Sequence, residues 1–373
     1  MRPLSTINFF LKNRKKLFSN VLIIVVTICL VYIMECFVAS IVESIYPLDA
    51  TRFQYASIIT ATDNIPEIPK EVINSLNESK NVESIIPVTV RQIVFSVPGS
   101  TTHTAVFSSS MDDAARLIEN FQIKLLSGKM PDAGKDEIAV DMSVAKNNGL
   151  KVGSQTVMDM SHNLDRQYAV VGLLESNSHI SLVGSPSPDD SSLKSDERGL
   201  LVFPFVGCFE QAENEVYALS KQGLTVWTLS RYKKIFAANT QTFQILDTMV
   251  VLSIIVMVVC LVCSKYAYFF SRKSEYGILS ALGYSRSEII RRTFREVIIT
   301  NLIGFIAGVA VAVLICKIIV SAAFSSLGGI GVYLSLKAAG LSLLAPMLTT
   351  VFTLIPVRRM ISRVDPISII QNN

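Results

Sequence analysis

The chain has 373 residues with 50% hydrophobic residues, 17% charged residues, a mean hydropathy of +0.45 and a formal net charge of +4. Soluble domains carry about 25% charged residues, so this composition excludes an ordinary soluble globule and points to a membrane protein. A nucleic-acid-binding role is excluded by the placement of the positive charge, because the arginines hug the ends of apolar runs instead of forming a soluble basic face.

At the N-terminus, over residues 1–19, Leu4, Ile7, Leu11 and Phe18 recur at helical spacing among Lys12, Lys15 and Lys16. This pattern predicts a helix lying in the interface of the inner leaflet. The first apolar run, residues 21–42, is longer than the roughly 7–15 residues of a signal-peptide core and lacks an A-x-A-like cleavage site, so it reads as a retained anchor. Residues 20–45 therefore form a first span and the start of a stalk. Within that run Glu35 is the one carboxylate placed well inside apolar sequence. Such a group is costly in lipid, and Glu35 is a candidate intramembrane polar site near the outer end of its span.

Residues 46–240 carry 17 Lys+Arg and 23 Asp+Glu, so this segment is acidic and the rest of the chain strongly basic. It alternates helix-like stretches such as "PKEVINSLNESKNV" with β-rich runs such as "SIIPVTVRQIVFSV" and "QYAVVGLLES". An α+β domain of two lobes is expected. The stretch "GSPSPDDSSLKSDERG", residues 184–199, reads as a mobile surface loop. "GKMPDAGKD" superficially resembles a phosphate-binding loop, but five residues separate Gly128 from Gly134 and Asp136 follows Lys135. That motif needs about four intervening residues and a Ser or Thr after the Lys, so a turn is the reading. His103, His162 and His179 lack metal-ligand spacing, and no nucleophile and base fall together, so no catalytic and no metal residues are assigned.

From residue 230 to residue 248 the pattern turns helical, predicting a stalk that runs into a second span over 241–270. Further spans are expected at 297–320 and 334–357, each about the 20 apolar residues a bilayer needs, joined by a short outer loop at 321–333 and followed by a tail at 358–373. Basic residues cluster before span one, around 271–296 and after span four, which places both termini and the 271–296 loop in the cytoplasm and 46–240 outside. Cys260 and Cys263 form a C-x-x-C inside an apolar helix and read as small packing residues. Gly304, Gly308 and Ala312 give span three a small-residue stripe for close helix packing.

The loop "SEYGILSALGYSRSEIIRR" is the most informative stretch. Ser274 is expected to cap a helix in which Glu275, Ile278, Leu279 and Leu282 share a face. Gly283 would end it in the left-handed conformation, and Ser285 with Glu288 would form a capping box for a second helix entering span three. A helix this short is marginal alone and must dock on something, so its ridge suits a groove on a cytoplasmic protein.

"SEYGILSALGYSRSEIIRRTFREVIITNLIGFIAG" resembles the cytoplasmic loop and third span of the MacB/FtsX-like permeases, the type VII ABC transporters. Glu275, Gly277, Ile278, Leu279, Ala281 and Gly283 match the family's E-x-G-I-L-x-A-x-G pattern, while Tyr276 stands where Ile or Phe is common. "LLSGKMPDAGKDEIAVDMSVAKNNGLKVG" with "YAVVGLLE" resembles the family's periplasmic core, and "RVDPISII" its C-terminal tail. The fold implied is a membrane protein of four transmembrane α-helices with a large α+β extracytoplasmic domain inserted between helices 1 and 2.

The resemblance further implies a permease subunit of a bacterial cell-membrane exporter. It would bind two copies of an ABC ATPase subunit that hold ATP and Mg2+, would pair with itself or a sister permease, and leaves a place for an extracytoplasmic adaptor. The chain itself would be no enzyme and bind no cofactor. Glu275, Tyr276, Gly277, Ile278, Leu279, Ala281, Leu282 and Gly283 would be the ATPase-coupling surface. The substrate implied is a peptide, antibiotic or other amphipathic molecule. The alternatives are an FtsX-like regulator of cell-wall hydrolases, a haem or lipid exporter and, outside ABC systems, a sensory receptor.

Overall fold

The computed structural model describes residues 14–156, 164, 166–184, 197–238 and 241–362. The chain divides into a helical unit, Met1–Ala39 with Thr242–Val320 and Val332–Asn373, and an α+β unit, Ser40–Gln241 with Ser321–Gly331. The expected helix over 1–19, the loop over 184–199 and the tail over 358–373 fall largely outside the described residues, as does His162.

Among the described residues, four helices are long and apolar enough to cross a membrane: Phe18–Gln54, Gln244–Phe270, Arg286–Leu327 and Leu336–Ile361. They exceed the apolar runs in the sequence because hydropathy marks bilayer thickness, whereas a helix runs on until its backbone is capped. Half of the apolar window of span one is buried, against 22–33% for the others, so span one is the central helix of the helical unit. Its Ile24 and Ile28 pack with Leu261, and its Val31 with Val250, Ile254, Val258 and Ala345. The outward faces keep exposed Val251, Leu252, Ile306, Leu314 and Val351, as a lipid-facing surface requires.

The span-three stripe has the close approach its spacing predicts. A Cβ added at Gly304 would lie 2.6 Å from Ile24 Cγ2, and one at Gly308 would lie 2.9 Å from Ile28 Cβ. Ala312 is fully buried beside Cys29, Tyr32, Cys36 and Cys316, and Cys29 Sγ donates to the Gly308 carbonyl at 3.3 Å. Cys260 and Cys263 are exposed, contrary to the packing role expected of them, because their face of span two points away from span one.

The α+β unit is built on one sheet. Its described strands are β1 (Ser57–Thr60), β2 (Val82–Val97), β3 (Ser100–Ser108), β4 (Lys124–Gly128), β5 (Glu137–Asp141), β6 (Ala169–Glu175), β7 (Ser181–Val183), β8 (Arg198–Pro204) and β9 (Thr225–Trp227). They lie in the order β4-β6-β5-β7-β3-β2-β8-β1-β9, with β3–β7 and β5–β6 parallel and the other pairs antiparallel. Strand side chains alternate between faces. Leu201 and Phe203 of β8 therefore enter one core with Phe107, Leu117 and Phe121, while Leu200 and Val202 enter another with Val72, Leu76, Ala212 and Val216. The two expected lobes thus share a continuous sheet with a core on each face.

Two contacts tie the margins of this unit together. Asp49 accepts from Thr102 Oγ1 at 2.7 Å and pairs with Arg52 at 3.1 Å, beneath the rings of Tyr46, Phe53, Tyr232 and Phe236. Segment Ser321–Gly331 is strapped down by Asn147 Nδ2, which donates to the Leu327 carbonyl at 2.9 Å, and by Ser44 Oγ, which donates to the Ile330 carbonyl at 2.7 Å. The stalk expected over 230–248 takes the form of helices Leu229–Ala238 and Gln241–Phe270, whose junction lies outside the described residues.

Candidate functional site

The loop between spans two and three folds as Lys273–Ala281, a short helix whose N-cap is Arg272. Ser274 does not cap it, which corrects the sequence reading. The span-two helix breaks earlier, at Arg272 (φ −107°, ψ 15°), and no side chain bonds the cap. The C-terminus follows the local chemistry closely. Gly283 takes φ +86°, its N–H donates to the Ser280 carbonyl at 3.1 Å, and the Tyr284 N–H donates to the Leu279 carbonyl at 3.2 Å. These paired bonds are a Schellman stop, with Leu279 and Tyr284 supplying its apolar contact. Ser285 and Glu288 then close a capping box, the Ser285 N–H donating to Glu288 Oε2 at 2.9 Å and the Glu288 N–H to Ser285 Oγ at 3.3 Å.

Beneath this helix lies an ionic anchor. Arg272 and Glu296 side chains are 2% and 3% exposed and meet at 2.6 Å. Tyr268 Oη donates to the same Glu296 oxygen at 2.9 Å, and Arg272 Nε donates to Glu275 Oε2 at 3.0 Å. The guanidinium also sits over the rings of Tyr268 and Tyr276, 5.3 and 5.6 Å from their centroids. Burial pushes the Tyr276 phenol up to about 12, and the neighbouring Arg272 cation partly offsets that rise. Lys265 is buried two helical turns before Arg272 on span two. Arg272 thus faces two carboxylates, Glu275 and Glu296. Removing one member of a buried pair costs about 3–5 kcal/mol because the other charge is stranded.

Around the anchor, Phe269, Tyr276, Ile289, Val297, Val357, Met360 and Ile361 form one apolar cluster, with Leu279 and Tyr284 packed against it. The short helix therefore rests on the ends of spans two, three and four. Of the residues expected in the coupling surface, Tyr276 and Gly277 are buried and Leu279 is half-buried. The outward surface narrows to Ile278 (55% exposed), Leu282 (70%), Ala281 and the outer half of Glu275.

Arg272 and Glu296 carry the anchor, and sequence reading missed both as site residues. The signal was the recurrence of Lys265, Tyr268 and Arg272 on one face of span two. Asn301 was missed as well: its Nδ2 donates to the Pro346 carbonyl at 3.1 Å and to Thr350 Oγ1 at 2.8 Å, tying span three to the proline-containing span four. Glu35 is 1% exposed and pairs with Lys337 at 2.6 Å. The "GKMPDAGKD" segment is a turn in which Asp132 pairs with Lys129 and Lys135, both at 2.8 Å. Those cations hold the Asp132 carboxyl down at about 2. His103 lies on β3 and His179 Nδ1 sits 3.3 Å from Asp141. Among the described residues no group of His, Cys, Asp and Glu is placed to hold a metal.

Together these features define a multi-pass membrane protein with an α+β domain between its first and second spans and an anchored helix between its second and third. Residues 248–366 match the family model described as FtsX-like permease C-terminal. That stretch holds the loop helix, spans three and four and nearly all of span two, so the similarity to the FtsX-like permeases lies in the C-terminal third of the chain. No curated protein matches the chain. Among solved structures, the periplasmic region of MacB from Actinobacillus actinomycetemcomitans is similar at 13% identity and TM-score 0.30, over 50% of this chain and 94% of that one. A domain of a putative permease from Porphyromonas gingivalis is similar at 12% identity and TM-score 0.26, over 47% of this chain and 89% of that one. The extracellular domain of the noncanonic ABC-type transporter YknZ from Gram-positive bacteria gives 11% identity and TM-score 0.27, over 46% of this chain and 97% of that one.

Proposed function

We propose that the chain is the permease subunit of an ABC exporter and converts ATP-driven motion of a separate ATPase into movement of its α+β domain, without a nucleotide site of its own. The observation that carries this reading is the anchored loop helix, whose base is locked to span three through Arg272 and Glu296 and whose outer face exposes Ile278 and Leu282. A push on that face is passed to spans two and three as a rigid lever, because a buried, fully bonded ion pair has no slack. At the other end of span three the helix runs on to Leu327, and the segment Ser321–Gly331 is held within the α+β unit by Asn147 and Ser44. Positive charge at the loop and at both ends of the chain supports a cytoplasmic position for the helix and an extracytoplasmic one for the domain. The cargo class is a peptide, antibiotic or other amphiphile, and a second permease copy completes the assembly.

The test is co-purification with an ABC ATPase encoded in the same cell. Leu282→Asp and Ile278→Asp should leave the thermal stability of the permease within about 0.5 kcal/mol, as exposed substitutions do, while abolishing ATPase capture. ATP hydrolysis by the chain alone, or full capture by both variants, would overturn the reading.

A further inference from the structure

At the opposite end of the spans from the loop helix, three charged side chains from three spans converge. Glu35 of span one sits inside the apolar sequence Ile33-Met34-Glu35-Cys36-Phe37 and is 1% exposed, yet its Oε1 is 2.6 Å from Lys337 Nζ of span four. Lys337 is also 3.7 Å from Asp247 of span two. The arrangement is asymmetric. Lys337 and Asp247 are 63% and 57% exposed, so the cation is held against a buried carboxylate by a side chain that the outside can reach. Glu35 Oε2 is buried with no hydrogen-bond partner.

Two physical points argue against a merely structural pair. Lys337 lies in the first turn of helix Leu336–Ser362, where no acidic residue offsets it and the helix dipole disfavours a cation. A long cationic side chain at a span end ordinarily reaches out to the headgroups. Here it turns to Glu35, whose second oxygen keeps unused accepting capacity at a depth where an unsatisfied carboxylate is costly. The trio holds two carboxylates and one ammonium, so it attracts cations. The surrounding surface is apolar, with Ile245 58%, Met249 54%, Leu334 68% and Leu336 94% exposed.

We propose that Glu35, Asp247 and Lys337 form a lateral binding site for the primary ammonium head of an amphiphile, and that the Lys337 ammonium occupies it as the chain's own competitor. The incoming ammonium donates to Glu35, Lys337 swings out to Asp247 and the headgroup region, and the ligand's apolar tail lies along the exposed faces of spans two and four. A primary ammonium fits because it matches the group already held. A quaternary ammonium has the charge but no N–H to give Glu35. The ammonium has two sources, a free cationic amphiphile or the headgroup of an ethanolamine lipid. The site stands apart from the ATPase reading, since binding needs no ATPase.

The test uses the full chain in phosphatidylglycerol nanodiscs with a diazirine-bearing dodecylamine as probe, and its trimethylammonium and alcohol analogues as controls. Labelled positions are mapped by mass spectrometry. Wild type should be labelled on the segments holding Asp247 and Lys337 by the amine alone. Lys337→Gln should raise labelling severalfold, because the internal competitor is gone, and Glu35→Gln should lower it to the level of the alcohol. Asp247→Asn changes an exposed group and keeps the test decisive if a Glu35 or Lys337 variant fails to fold; it should cut labelling severalfold. Suppression by added phosphatidylethanolamine but not phosphatidylcholine assigns the site to a lipid, and persistence assigns it to a free amphiphile. Equal labelling of wild type, Glu35→Gln and Asp247→Asn, or equal labelling by amine and alcohol, overturns the proposal.

Discussion

The helical unit carries an ion pair with a buried carboxylate at each end, and the two are built differently. At the loop end, Arg272 and Glu296 are both almost wholly inaccessible, share bonds with Tyr268 and Glu275, and are wrapped by aromatic rings. At the other end, Glu35 is equally buried, but its partner Lys337 is largely exposed and one carboxylate oxygen is unbonded. A closed network fixes one arrangement, because every alternative strands a charge in a low-dielectric place. An open one has an alternative within reach of solvent or lipid, so its partner is exchangeable. We read the first as the joint that transmits motion and the second as a place where a ligand enters.

The contrast can be broken at its stronger end first. Arg272→Met should cost about 3–5 kcal/mol and lower the melting temperature sharply, while adding Glu296→Gln should recover most of it, since the stranded charge is then gone. Thermal unfolding of the purified protein in detergent reads both. Lys337→Met should cost less, about 1–3 kcal/mol, because the exposed side of the pair lets water and headgroups compensate Glu35. Equal losses at the two ends would remove the distinction.

Between the ends, span three must stay tight on span one. Gly304→Leu should destabilise by about 1–3 kcal/mol through overpacking on Ile24, with partial recovery in the double variant carrying Ile24→Ala. In the loop itself, Gly283→Ala forces a side chain into φ +86° and should cost about 1–2 kcal/mol, seen as faster hydrogen exchange over Lys273–Ala281.

The smallest effect belongs to the α+β unit. Asp132 is held down at about 2 by Lys129 and Lys135, below its ordinary 3.8. Its stabilising share is therefore present above pH 3.8 and is lost as pH falls toward 2. Asp132→Asn should flatten that acid limb slightly, and added salt should mask the difference because the pairs are exposed.

The parts of this protein written locally were legible in the residues. Gly283 and the Ser285–Glu288 box lie within a turn of the helices they end and begin, and Gly304, Gly308 and Ala312 repeat at the spacing that packing needs. The four apolar runs and the β-branched stretches between the first two likewise announced four spans and an inserted α+β domain. Their ends were less legible, since helices outrun hydropathy. Ser274 has the chemistry of a cap, but the chain breaks at Arg272 because the guanidinium is drawn under Tyr268 toward Glu296, a residue on another helix.

What the sequence determined by itself was thus the set of elements, their apolar faces and their local stops, all governed by bonds spanning a few residues. The tertiary structure alone decided which side of the loop helix faces inward, taking Tyr276 and Leu279 from the expected coupling surface and leaving Ile278 and Leu282. It alone gave Glu35 its partner. Both outcomes rest on the same cause: a charge removed from water must find its counterion in space, and that counterion sits on a helix the chain reaches only after leaving the first.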